Sequence, residues 1–196
     1  NYKYLVNTIK SEENNINNII LNTAKWVNEN IQKLPEGVDV IDYHPLTIVQ
    51  RRLGVQDQFN DILSVLLIYL NVDSFFIEKF NNIDHALTFF KINNYWSVID
   101  PYYGIYFINE DNKFASLEEL KTNNWQIVNL ESQKISSSDL SNTFSKKLSS
   151  YNDIKNYYQK IFNSMQNSEQ IDEINIYERG GRSYLQKPYH RIRFEI

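Results

Sequence analysis

Chemistry in this chain has to come from a short set of side chains, because its 196 residues include three histidines and no cysteine. Without cysteine there is no disulfide framework, no thiolate metal site, no iron–sulfur cluster and no thiolate nucleophile. His44 lies in a Tyr-His-Pro loop and His190 in a basic tail, and both read as surface or packing residues. His85 opens an expected strand, and Asp100 closes the next one just ahead of Pro101. On neighbouring antiparallel strands these two positions can sit side by side. A carboxylate against an imidazole fixes its tautomer and stabilises the imidazolium, which is the orienting half of a catalytic triad. On spacing alone, two ordinary packing residues are the stronger reading.

A second group is basic. Arg179, Arg182, Lys187, Arg191 and Arg193 could clamp a phosphate, a uronate or a partner's acidic patch through bidentate contacts. The competing reading is a solvated hairpin whose charges are balanced by Asp172, Glu173, Glu178 and Glu195. The alternation of Arg191, Arg193 and Glu195 with Ile192, Phe194 and Ile196 is also that of a half-buried strand.

Positioning these groups falls to a helical half followed by a strand-rich half. Residues 12–34 carry Ile16, Ile19, Ile20, Ala24, Val27 and Ile31 at helical spacing, with Trp26 at the flank of the stripe and Ser11 as the expected N-cap. A short helix is expected from Pro45 to Arg52, ending at Gly54. The helix from Asp57 to Leu70 is apolar most of the way round, which marks a central, buried one. Period-two patterns then predict strands over 73–80, 84–92, 95–100 and 102–108, with Asn93-Asn94 as a hairpin signal. SLEEL at 116–120 reads as a capped short helix with Ser116 and Glu119 forming a capping box, and 125–130 as a further strand. A Ser-rich linker is expected over 131–150, between a core of 1–130 and an extension of 151–196 with a helix at 151–165 and a hairpin around Gly180-Gly181. Helices first and an antiparallel sheet afterwards give an α+β fold.

The formal net charge of −4 argues against a nucleic-acid partner, which calls for a strongly basic face. No apolar run reaches the roughly 18–20 residues needed to span a bilayer. The chain shows no signal-peptide pattern and opens on Asn1 rather than Met, which leaves open whether further segments flank it. Its abundant Asn, Ile and Lys reflect an AT-rich coding sequence, and a bacterial source is expected. Composition leaves the compartment open between cytoplasm and cell envelope.

The strings "GVQDQF", "DHALTFFKINNYWSVIDPYYG" and "NEDNKFASLEEL" together resemble the transglutaminase-like branch of the papain-like cysteine-protease superfamily. That family carries Gly-x-Cys at the start of a buried helix, His-Ala at the start of a strand and Trp-x-x-x-Asp-Pro at the end of the next. Here His85-Ala86 matches the catalytic His, and Trp96 through Asp100-Pro101 matches the last motif, with Tyr103-Gly104 continuing it. The resemblance covers about residues 12–120 and is strongest over 48–104. It implies the papain-like core, with the buried helix packed on the sheet. It places the nucleophile two residues after Gly54, where this chain has Gln56. The family's Cys is activated by the His and the helix dipole, because the thiolate is the attacking species. An amide cannot be ionised into a nucleophile, so the resemblance implies a vestigial triad of Gln56, His85 and Asp100.

Two functions stay open on this reading. One is a catalytically inactive domain that binds or assembles, without cofactor or metal. Its protein, peptide or glycan ligand would lie in a cleft between the 57–70 helix and the sheet, beside Trp96, Tyr102 and Tyr103. The resemblance permits a setting in bacterial surface-polysaccharide or secretion machinery. The other is a hydrolase or transferase on amide or glycan substrates, with His85 and Asp100 serving Asp57 or an activated water as nucleophile. A third, plainer outcome is a cleft filled by the protein's own side chains.

Overall fold

The computed structural model describes residues 2–35, 38, 44–132 and 150–173. The elements that build the core and the site are α1 (Tyr2–Lys10), α2 (Ile16–Asn30), β1 (Gln32–Lys33), α3 (Pro45–Arg51), β2 (Leu53–Gly54), α4 (Gln56–Tyr69), β3 (Ser74–Phe80), β4 (Ile83–Ile92), β5 (Tyr95–Asp100), β6 (Ile105–Ile108), α5 (Leu117–Lys121), β7 (Gln126–Asn129) and α6 (Tyr151–Asn163). The α+β class is as expected. Strands β3 to β7 form one antiparallel sheet in chain order, while β1 and β2 make a separate parallel pair.

Both faces of the sheet are covered. On one side α1 to α4 pack through Val6, Ile20, Ile48, Phe59 and Leu63 against Phe90, Ile99 and Tyr106. On the other, α5 and α6 pack through Leu117, Ile154, Tyr158 and Phe162 against Leu87, Phe89, Trp96, Val98 and Phe107. This double cover explains why β4 is buried almost continuously instead of alternately. It also puts α6 in the same core as the sheet. The Ser-rich stretch, apart from 131–132 and 150, and the basic hairpin lie outside the described residues. So do Arg179, Arg182, Lys187, Arg191, Arg193 and His190.

Several boundaries differ from the sequence expectation. The first helical stripe belongs to α2, which starts at Ile16 with Asn15 as its cap; Ser11 instead adopts a left-handed conformation after α1. Helix α1, whose Val6 is buried against α2 and α4, was not expected at all. Strand β6 begins only at Ile105, because Pro101 to Gly104 form a turn. Gly104 is required there, since it holds φ +66° with the Asn28 side chain 3.0 Å from where a Cβ would stand. The hairpin at Asn93-Asn94 has φ of 48° and 66°, the two positive values of a type I′ turn. The Ser116–Glu119 capping box forms as expected.

Candidate functional site

Three elements bring Gln56, His85 and Asp100 together. Gln56 is the first residue of α4 and Asp100 the last of β5. His85 lies at an irregularity. Ile77 pairs with Leu87 and Lys79 with Asp84, so His85 and Ala86 together face Glu78 as a β-bulge. Bulges re-aim side chains, and this one turns the imidazole to the seam between the α4 N-terminus and α6. Asn60 secures the seam: its amide donates to the carbonyls of Gln56 and Ala86, and its Oδ1 accepts from Thr88.

His85 Nε2 lies 2.7 Å from Asp100 Oδ2. A carboxylate only accepts, so Nε2 carries a proton, and in the neutral ring Nδ1 is the acceptor. Two groups converge on that nitrogen, Gln56 Nε2 at 3.1 Å and the Tyr157 hydroxyl at 3.1 Å. Asp100 is fully buried. Besides His85, its oxygens accept from the Tyr158 hydroxyl at 2.7 Å and from the Tyr103 N–H at 3.0 Å. A buried carboxylate needs such partners, because desolvation otherwise costs several kcal/mol.

The imidazole is enclosed by rings. Tyr103 stacks on it at 5.7 Å, while Tyr157 and Tyr158 meet it edge-on at 5.4 Å and 5.2 Å. Burial, then the Asp100 charge, pushes the Tyr157 hydroxyl above the usual tyrosine value and those of Tyr103 and Tyr158 well past it. Lys33, in register with Gly54, holds its amine 4.4 Å from the Tyr102 ring and 5.1 Å from the Tyr103 ring. Loss of hydration lowers its pKa, against the opposing pull of Asp100.

The expected cleft is therefore filled, and its composition is corrected in two respects. Trp96 does not line it. The indole is buried beneath Phe75, at the far end of β5 from Asp100, with its N–H donated to Asp172 at 2.9 Å. Tyr102 and Tyr103 do lie at the site, Tyr103 on His85 and Tyr102 edge-on to Phe59 at 5.1 Å. Asp57 turns its carboxylate onto the Gln58 N–H, as a helix-start acid does, whereas the nitrogens of His85 are met by Gln56, Tyr157 and Asp100. His44 serves as the cap of α3. Tyr157, Tyr158, Asn60 and Lys33 belong to the site without having been singled out from the sequence. The Tyr157-Tyr158 pair on an amphipathic helix was the readable sign, because buried tyrosines seek a partner for the hydroxyl.

Chemically, the site holds an oriented imidazole and a carboxylate, with an amide where a nucleophile would stand. Among the described residues no group of three or more His, Asp or Glu could hold a metal ion, and no helix is long and apolar enough to cross a membrane.

The profile of the transglutaminase-like domain family matches residues 1–135. No curated protein matches the sequence. Among solved structures, a candidate cysteine protease from Cytophaga hutchinsonii is similar at 18% identity and a TM-score of 0.43, over 50% of this chain and 36% of that one. The chain thus matches little more than a third of that protein's length.

Proposed function

This chain belongs to the transglutaminase-like domain family, and we propose that within it the protein is a non-catalytic member serving as a binding or assembly module. One observation carries the reading: an amide, that of Gln56, stands 3.1 Å from His85 Nδ1 in a chain with no cysteine. A primary amide donates a hydrogen bond to that nitrogen and has no electron pair basic enough to attack an acyl group. The His85–Asp100 pair then serves as a buried hydrogen-bonded brace.

Binding falls to the mouth of the site, where Tyr102 and Tyr103 stand beside the Lys33 amine. Aromatic faces next to a few polar groups suit a peptide or a glycan. A role in assembling surface-polysaccharide or secretion machinery would use such a module. The test has two arms. Purified protein and His85→Ala are assayed on amide, ester and glycosidic substrates, with no turnover expected from either. Turnover abolished by His85→Ala would overturn the non-catalytic reading. In parallel, peptide and oligosaccharide panels are screened for binding that Tyr102→Ala weakens, and binding indifferent to Tyr102 would move the ligand site elsewhere.

A further inference from the structure

We propose that α6 is a built-in occupant of the cleft and that Tyr157 masks His85, its hydroxyl taking the ring nitrogen that an open cleft would leave for an incoming hydrogen-bond donor. His85 Nε2 is committed to Asp100, which leaves Nδ1 as the sole ring position for any outside group. Nδ1 offers one in-plane lone pair, and both the Tyr157 hydroxyl and the Gln56 amide approach it at 3.1 Å. With Tyr103 stacked on the ring, the imidazole is only 3% exposed.

The mask is fixed in place. Ile154, Tyr158, Ile161 and Phe162 of α6 are fully buried, so the helix is part of the core and no hinged lid. Tyr158 anchors it to the same Asp100 oxygen that orients the imidazole. Beyond α6, Asp172 accepts from Lys91 Nζ at 2.6 Å and from the Trp96 indole at 2.9 Å, tying the chain back onto β4 and β5. The α6 residues, 151–163, also lie outside the 1–135 that the family profile matches, so the mask comes from chain beyond the shared stretch. None of this depends on what the mouth of the site binds, and the mask can stand or fall apart from the binding role.

The absence of cysteine supplies the test, since Gln56→Cys installs a unique thiol beside His85. In that variant the Tyr157 hydroxyl keeps Nδ1, and the thiol titrates under the influence of the α4 N-terminus without help from the imidazole. In Gln56→Cys/Tyr157→Phe the nitrogen is released to take the thiol proton. The thiolate absorbance then titrates at least about one pH unit lower. Alkylation by iodoacetamide at about pH 6 speeds up roughly tenfold, the larger thiolate fraction outweighing the lower nucleophilicity. Arg51, Asp57, Lys33 and Asp100 are common to both variants, so the difference reports Tyr157. A second measurement uses Tyr157→Phe alone: losing a hydroxyl donor should shift the ¹⁵N resonance of His85 Nδ1. The proposal is overturned if that resonance stays put, or if the thiol behaves alike in both backgrounds.

Discussion

Removing a single oxygen, in Tyr158→Phe, tests whether α6 is held by the buried carboxylate. The hydroxyl donates to Asp100 Oδ2 at 2.7 Å, and the residue is fully buried. A hydrogen bond to a charged group contributes about 1.5–3 kcal/mol. The substitution keeps the ring and its contacts with Phe107 at 5.0 Å and Phe162 at 5.9 Å, so no cavity of note opens. Asp100 also keeps His85 and the Tyr103 N–H as donors, which holds the loss below the 3–5 kcal/mol typical of stripping a buried charge of its partner. The expected cost is about 2 kcal/mol, or a fall in Tm of about 4–8 °C for a domain of this size. Urea unfolding measures it as a lower midpoint at unchanged slope. Alkaline pH supplies a second axis. Tyr158 holds its proton beyond the usual value of 10.0, so above that pH the folded state binds more protons than the unfolded one. Stability contributed by the hydroxyl is therefore complete below pH 10 and lost as pH climbs further. Tyr103 and Tyr157 are present in both proteins, so the gap between wild type and variant should narrow only as pH rises above about 10. A cost within about 0.5 kcal/mol of zero, the range of ordinary surface changes, would refute the hydroxyl–carboxylate anchor.

Two other substitutions probe the same core. Asp100→Asn sets an amide against the His85 N–H, the Tyr158 hydroxyl and the Tyr103 N–H, of which its single oxygen can serve only part. It should cost about 3 kcal/mol in thermal unfolding, and a loss below about 1 kcal/mol would show that the carboxylate is not the hub. Trp96→Ala should cost about 3–5 kcal/mol in denaturant unfolding, as for a large aromatic in a core. Any ligand affinity at the mouth of the site should stay unchanged, because the indole is buried against Phe75 away from His85.

Much of this was legible in the chain, and the reasons differ by element. The His85 and Asp100 pairing follows from period-two patterns on two consecutive strands joined by a turn, Asn93-Asn94, whose residues tolerate positive φ. Gln56 entered the site only through the family resemblance, since nothing about a glutamine at a helix start announces a triad position. Trp96 misled because residue type suggested a binding face, whereas its place on β5 puts it four residues from Asp100 and into the core. Tyr157 and Tyr158 stayed hidden because their partners lie 72 and 58 positions away, and helical periodicity states which face is buried without stating against what. The bulge at His85–Ala86 is equally non-local, arising from the count of residues on two strands.

One feature of α6 bears on how this chain can change over generations. Adjacent residues on a helix project about 100° apart. Tyr157 and Tyr158 nevertheless both reach the same His–Asp pair, one to the ring nitrogen and one to the carboxylate, so the pair sits in the fork between them. The angular phase of α6 is thereby set. An insertion of one residue between Tyr151 and Tyr157 would rotate the fork away and break both bonds at once, while one ahead of Ser150 would leave the phase untouched. Length is thereby fixed within the opening turns of the helix.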